Sequence, residues 1–161
     1  MKTHLCIALV TLTALRATLW STVAHGHALD SEFDCKSNPH TFITSLEDRQ
    51  YIDSKPMRVE QNSVNAFRPT RGSDLTVYGF HVYAVLGYER DDTIFKKGSG
   101  DTIAVPLYGA VVSGPVETVE TRVRQAGSDA IVHQVIPMLL TAIVCDEHQV
   151  GQWTHETRET R

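Results

Sequence analysis

Two cysteines, Cys35 and Cys145, lie near opposite ends of the chain that follows an apolar leader, and this pair constrains the fold most. The third cysteine, Cys6, belongs to the leader itself. In an oxidising compartment a Cys35–Cys145 bond would close a loop of about 110 residues and contribute about 4–5 kcal/mol in the chain-entropy treatment. Two free thiols or a metal site are the alternatives, but the clustered Cys and His spacing that binds zinc is missing. The sequence therefore predicts one domain closed by a disulfide and no cofactor.

Residues 1–28 have the composition of a secretory signal peptide. A short positive start precedes an uncharged apolar run, Leu5 to Leu15, which is shorter than the roughly 20 residues of a membrane span. Small residues predict cleavage after Ala28, and Ala24 is a second candidate. A buried N-terminal helix is the alternative, but the run has no strongly polar face. We therefore expect a secreted, extracellular product.

The mature part, residues 29–161, is long enough for one domain and too short for two. We expect the domain over residues 29–148 and a polar C-terminal tail over residues 149–161. Without Lys2 and Arg16 the chain keeps 13 basic side chains against 19 acidic ones, a net charge near −6. An acidic surface does not attract phosphate backbones or anionic lipids, so DNA and membranes are not expected partners. We expect a monomer.

Local patterns predict one helix and one exposed loop in the first half of the mature chain. Asn38 can cap a helix that starts at Pro39, and apolar residues then recur at helical spacing to about Tyr51. The stretch from Lys55 to Asp74 has no sustained periodicity and is locally basic. Within it, residues 65–72 are predicted to be an exposed loop, either a solvated one or a functional patch.

The second half of the chain reads as strands, because β-branched and aromatic residues cluster between turn residues. The predicted strands are Leu75–Leu86, Ile103–Leu107, Val116–Gln125, and two strands within Ala130–Val144 that are broken at Ile136-Pro137. One helix followed by strands predicts an α+β domain, with an N-terminal helix packed on an antiparallel sheet of four to five strands.

Short segments along this order carry a resemblance to a known family: Tyr78–Tyr83, Tyr88-Glu89, Ile103–Leu107, Thr121–Val123 and Ala130–His133. They are similar to the active-site strands of the fungal guanyl-specific ribonucleases. The resemblance implies a microbial-ribonuclease-like fold, with His81, Arg122 and His133 at catalytic positions. It also implies Tyr83, Tyr88 and Glu89 as substrate-binding residues. Taken singly, the histidines also fit core or edge positions, and Arg122 fits a solvent-facing charge.

The chemistry of RNA cleavage explains these residue types. Attack by the ribose 2′-hydroxyl needs a base, an acid for the leaving oxygen, and a cation for the phosphorane charge. The resemblance implies His133 as acid and Arg122 as cation. The position of the family's basic Glu is Ala104, which leaves His81 alone as base, and a lost base costs about 10²–10⁴ in rate. An apolar segment, residues 134–140, also replaces the family's polar glycine-rich segment, which implies weakened guanine recognition.

A second resemblance matches these departures. Phe33-Asp34-Cys35, the late Cys145 and the missing Glu at Ala104 are similar to the secreted ribonuclease-like effectors of powdery mildew fungi. This resemblance implies a virulence protein that binds a host protein or RNA, is catalytically impaired, and acts outside or inside host cells. Two alternatives stay open: an active secreted endoribonuclease that cleaves single-stranded RNA, and a structural or surface protein without catalysis.

Overall fold

A computed structural model describes residues 26–146, which form an α+β domain with two helices and a mixed eight-stranded sheet. The predicted α+β class is therefore confirmed, but one helix and several strands were missed. The helices are α1 (Pro39–Asp48) and α2 (Val116–Gln125), and a 3-10 turn covers Asp30–Phe33. The strands are β1 (His27–Ala28), β2 (Arg58–Val59), β3 (Asn65–Phe67), β4 (Leu75–Val77), β5 (Phe80–Tyr88), β6 (Leu107–Ser113), β7 (Ile131–Ile136) and β8 (Leu140–Asp146).

The sheet is organised around β5, its longest strand. One edge of β5 pairs with β6, and the other is shared by β4 near its start and β3 near its end. The main strand order is β1-β4-β5-β6-β8-β7, and β2 pairs with β3. Every pairing is antiparallel except the short parallel contact of β1 with β4. Both helices pack on one face, which we call the inner face.

Helix α1 begins where the sequence indicates. The side chain of Asn38 accepts a hydrogen bond from the N–H of Thr41 at 2.8 Å, and Pro39 is the first helical residue. The helix ends at Asp48, before the predicted Tyr51, and Gln50 has a positive φ of 58°. Its buried side chains lie against the inner face: Phe42, Ile43 and Leu46.

The predicted strand from Leu75 to Leu86 is in fact two strands joined by a tight turn. Tyr78 and Gly79 both have positive φ, 51° and 83°, as a two-residue hairpin turn of type I′ requires. The turn was not predicted because aromatic and β-branched residues, which are typical of strands, surround it on both sides. The hairpin folds β4 back beside the start of β5, with Thr76 opposite His81.

The strand predicted over Ile103–Leu107 is wrong, since residues 103–106 form no strand and β6 begins only at Leu107. Pro106 explains this boundary, because a proline cannot donate to a ladder in the middle of a sheet. The true strand, Leu107–Ser113, lies in the centre of the sheet between β5 and β8. Its central position accounts for its mostly buried sequence, which has no charged residue.

The strand predicted over Val116–Gln125 is also wrong, because these residues form helix α2. Val119 and Val123 are spaced by four, a spacing that fits one face of a strand and one face of a helix equally well. Pro115 precedes the first turn, Glu117 lies in it, and the last turn carries basic residues, as the helix dipole favours. Val119 and Val123 are fully buried against the inner face.

The exposed loop predicted at residues 65–72 is wrong over its first part. Asn65, Ala66 and Phe67 form β3, which pairs with β5, and all three are buried. Asn65 is fully buried, and its side chain makes hydrogen bonds to backbone groups of Ser63 and Lys96. These bonds make the burial of its polar amide possible. Because asparagine is usually exposed, the sequence alone predicts a surface position for Asn65.

The last two strands and the disulfide agree with the sequence. β7 and β8 form a hairpin across Pro137, within the predicted Ala130–Val144 segment. Cys35 and Cys145 are bonded and buried, and they join the chain ahead of α1 to the end of β8. Most of the predicted signal peptide, residues 1–25, and the predicted tail, residues 149–161, lie outside the described residues.

Candidate functional site

The two histidines of the ribonuclease resemblance lie on the same face of the sheet but far apart. His81 on β5 and His133 on β7 are both exposed, and the residues beside them, Val82 and Val132, face the inner core. Since side chains alternate along a strand, both histidines project from the outer face. Strands β6 and β8 separate β5 from β7. Three strand spacings amount to about 14–15 Å between the backbones of the two strands, a long separation for two imidazoles that must flank one phosphate group.

Arg122 does not join them. It is an exposed residue of α2, and this helix covers the inner face through Val119 and Val123. The expectation that Arg122 lies on a neighbouring strand, on the same face as the histidines, is therefore wrong. Ala104 is exposed in a bend ahead of β6 rather than in a strand between them. The expected arrangement, with Arg122 and Ala104 on strands between the two histidines, is therefore not observed.

The three residues implied in substrate binding also have different surroundings. Tyr83 lies at a bulge in β5 and is 57% exposed, whereas Tyr88 at the end of the same strand is buried. Glu89 follows Tyr88, and its Oε2 accepts a hydrogen bond of 3.4 Å from the N–H of His40. His40 is the second residue of α1, so the carboxylate of Glu89 lies at the positive end of that helix. Glu89 therefore contacts the start of α1.

His40 is a residue that the sequence reading missed. Its Nδ1 lies 2.7 Å from Oδ2 of Asp92, and the imidazole remains half-exposed while the carboxylate is mostly covered. Glu89 and Asp92 thus both dock the segment after β5 onto the start of α1. The Asn38-Pro39 start signal placed His40 in the first turn, but its acidic partners are about 50 positions away in the chain.

A cleft of about 470 Å³ lies beside this segment. Tyr88 and Phe95 are among the residues that line it. The charged residues around it balance, three acidic against three basic: Glu89, Asp91, Asp92, Arg90, Lys96 and Lys97. A cleft with no net charge has no general attraction for a phosphodiester.

The most unusual surface is the turn of the β7–β8 hairpin. We call residues 135–139 the apolar hairpin, because four large apolar side chains are exposed there: Val135 at 49%, Ile136 at 44%, Met138 at 70% and Leu139 at 63%. The segment from Ala130 to Val144 contains no Asp, Glu, Lys or Arg. Isolated exposed apolar residues are common on proteins, but a contiguous set usually marks an interaction surface.

The apolar hairpin is held by the body of the domain. The carbonyl of Leu139 accepts a hydrogen bond from the N–H of Gly114 at 2.9 Å, and the hydroxyl of Thr141 donates to the carbonyl of Gly114 at 2.8 Å. Within the turn, the N–H of Leu139 donates to the carbonyl of Ile136. The exposed side chains are therefore presented on a fixed backbone, which reduces the ordering cost of binding.

An open groove of about 600 Å³ continues this surface across the outer face. Its apolar lining comprises Val64, Leu86, Val111, Val135 and Ala142, and the polar residues of the segment from Arg58 to Asn62 line the rest. Val135 belongs to both the groove and the apolar hairpin. The groove and the apolar hairpin therefore adjoin at Val135.

Residues 26–146 show neither a metal-binding cluster nor a membrane-spanning helix. Within that range no three His, Cys, Asp or Glu side chains are grouped so that they could hold a metal ion. None of the described helices is long and apolar enough to cross a membrane.

Comparison of the whole chain with known protein families, curated proteins and solved structures finds no match. The fold and the site define a disulfide-closed α+β domain whose most distinctive surface is an exposed apolar hairpin.

Proposed function

We propose that this protein is a secreted ribonuclease-like effector that is catalytically impaired and acts by binding a host protein through the apolar hairpin. The observation that carries the proposal is the exposure of four large apolar side chains within residues 135–139, on a backbone held by Gly114. Full burial of one such side chain contributes about 1.5–3 kcal/mol. Covering the hairpin would therefore supply several kcal/mol toward a protein complex.

Impaired catalysis is supported by the separation of the catalytic residues. A base and an acid must each reach the same reacting phosphate, yet three strand spacings lie between His81 and His133. Arg122 belongs to a helix on the inner face, and Ala104 supplies no carboxylate. The secreted and fungal parts of the proposal rest on the leader sequence and on the resemblance given above.

A protein partner is favoured over RNA because of the charge distribution. The chain after residue 28 has a net charge near −6, and the cleft beside Tyr88 carries equal numbers of acidic and basic residues. Binding to RNA draws mainly on neutralised phosphates, which need a basic surface. The apolar hairpin has no charged residue and fits a protein partner, since interface cores are depleted in charged side chains.

The first test is a turnover assay on single-stranded RNA with the oxidised, secreted protein. We expect no cleavage above that of the His133→Ala variant. Cleavage at a rate near that of an intact guanyl-specific ribonuclease, abolished by His133→Ala, would overturn the proposal and establish the enzyme.

The second test identifies the partner and then repeats the binding with purified components. Host proteins cross-linked to the secreted protein are identified, and the dissociation constant of each purified candidate is measured. We expect Met138→Glu and Leu139→Glu to weaken binding at least about tenfold, because each places a charge in an apolar interface. Met57→Glu is the matched control, since Met57 is 38% exposed and lies outside the hairpin. Equal binding by all three variants would contradict the proposal.

A further inference from the structure

The outer edge of β7 is free for pairing within the described part of the chain. β7 is the last strand of the sheet, with β8 on one side and no strand of residues 26–146 on the other. In an antiparallel sheet, alternate residues of an edge strand direct their N–H and C=O groups away from the sheet. An unpaired edge of this kind is a template for another strand.

Natural edge strands carry protective features, and β7 has few of them. Charged side chains and prolines on the edge are the usual devices. The strand Ile131–Ile136 has no Lys, Arg, Asp or Glu, and Pro137 lies in the turn beyond it. A register shift between Gln134 and Ile136 is the one such device. It leaves the four residues from Ile131 to Gln134 regular and available for pairing.

We propose that a second copy of this chain pairs with the edge of β7, so that two β7 strands run antiparallel about a two-fold axis and join the two sheets. A two-fold contact requires a surface that is complementary to itself. The backbone of any antiparallel strand meets this condition. The side chains of β7 meet this condition because the strand has no Lys, Arg, Asp or Glu that would face its own copy.

The absence of charged residues along β7 favours a second copy of this chain as the partner strand. A charged partner strand would call for opposite charges along β7, and the segment from Ala130 to Val144 offers none. The copy's own β7 is an uncharged, largely apolar strand of the required kind. Pairing would also bring the apolar hairpin of each copy over the start of the other β7, where Ile131 and Val132 are only half-buried.

The dimer would regulate the function proposed above. Since the apolar hairpin adjoins the β7 edge, self-association would cover the surface that a host protein is proposed to use. Binding of that protein would then compete with dimer formation, and dilution after secretion would favour the active monomer. Only this regulatory consequence rests on the proposed function. The dimer itself does not.

The experiment is sedimentation velocity of the oxidised protein over two decades of concentration, with variants that place a charge on the edge. We expect the unmodified protein to form a dimer at the higher concentrations. His133→Lys and Gln134→Lys put like charges near each other across the axis and should raise the dimer dissociation constant at least about tenfold. Met57→Lys is the matched control and should dimerise normally. Thermal unfolding of each variant verifies that it is folded.

Amide hydrogen exchange gives a second measurement that locates the contact. We expect the amides of β7 to exchange more slowly at high protein concentration than at low concentration. A protein that stays monomeric, or a dimer with no added protection of β7, would overturn the inference. If the protein is monomeric and hairpin variants still lose host-protein binding, this inference fails and the proposed function stands. If the dimer forms but hairpin variants bind the host protein normally, the proposed function fails instead.

Discussion

The side chain of Asn65 pairs with the backbone of Lys96 through two hydrogen bonds. Nδ2 of Asn65 donates to the carbonyl of Lys96, and the N–H of Lys96 donates to Oδ1 of Asn65, each at 2.9 Å. Nδ2 also donates to the carbonyl of Ser63 at 2.8 Å. The side-chain amide of Asn65 therefore makes the same pair of hydrogen bonds that a neighbouring strand would make. These bonds attach the loop after β5 to β3.

Replacing Asn65 should therefore destabilise the domain strongly. Asn65→Ala leaves a buried N–H and buried carbonyls without partners, and we expect a loss of about 2–4 kcal/mol in the free energy of unfolding. Asn65→Asp should cost more, because its carboxylate would face two carbonyl oxygens. Urea unfolding measures both. Asn62→Ala, at an exposed neighbour, is the control, and an equal loss from it would contradict the role of Asn65.

Alkaline pH should weaken the domain through Tyr108. Burial raises the pKa of Tyr108 to about 12 from an ordinary value of 10, and its hydroxyl donates to the carbonyl of Glu32 at 2.9 Å. The folded state favours the neutral phenol of Tyr108. Its contribution to the free energy of unfolding is therefore complete below pH 10 and is lost as the pH rises toward 12. At about 1.36 kcal/mol per pKa unit this loss amounts to about 2–3 kcal/mol. The free energy of unfolding across this range should fall less steeply in Tyr108→Phe, and parallel curves for the two proteins would refute the assignment.

A substitution on α2 distinguishes the helix from the strand that its sequence resembles. Thr121 is exposed, and alanine has the higher helix propensity, so Thr121→Ala should stabilise the protein by about 0.3–0.7 kcal/mol. In a strand the same change would destabilise it by up to about 1 kcal/mol. Thermal and urea unfolding give the sign directly. A clear loss of stability would be incompatible with the helix.

Ala104→Glu should leave both stability and RNA cleavage unchanged. Ala104 is exposed in a bend, so a carboxylate there remains solvated and the free energy of unfolding should change by no more than about 0.5 kcal/mol. It would not complete a catalytic group, because His81 and His133 remain three strand spacings apart. A fluorogenic RNA substrate provides the measurement. A tenfold rise in cleavage that depends on both histidines would show that the residues converge after all.

The secreted product should begin at His25 rather than at Leu29. The N–H of Leu29 donates to the carbonyl of Thr76 at 2.8 Å, and Leu29 is fully buried. Cleavage after Ala28 would place a charged amine there and remove β1, whereas cleavage after Ala24 would preserve both. The intact mass of the secreted protein decides between the two sites. A product that starts at Leu29 and unfolds at the same urea concentration would contradict this expectation.

Local chemistry explains the parts that the sequence alone determined. Asn38 and Pro39 set the start of α1 because capping involves only neighbouring residues. Pro137 separates β7 from β8 for a similar local reason. The pairing of Cys35 with Cys145 followed from their being the two cysteines outside the predicted leader.

Tertiary structure decided the parts that depend on distant residues. The valines of α2 fit a strand and a helix alike, and only burial of Val119 and Val123 against the inner face distinguishes the two. Asn65 reads as a loop residue until Lys96 supplies its partners. The resemblance to ribonucleases placed His81 and His133 in the correct order along the chain, but strand order determines distance across a sheet. Because β8 lies between β6 and β7, the two histidines are separated, and β7 with its apolar hairpin lies at the edge.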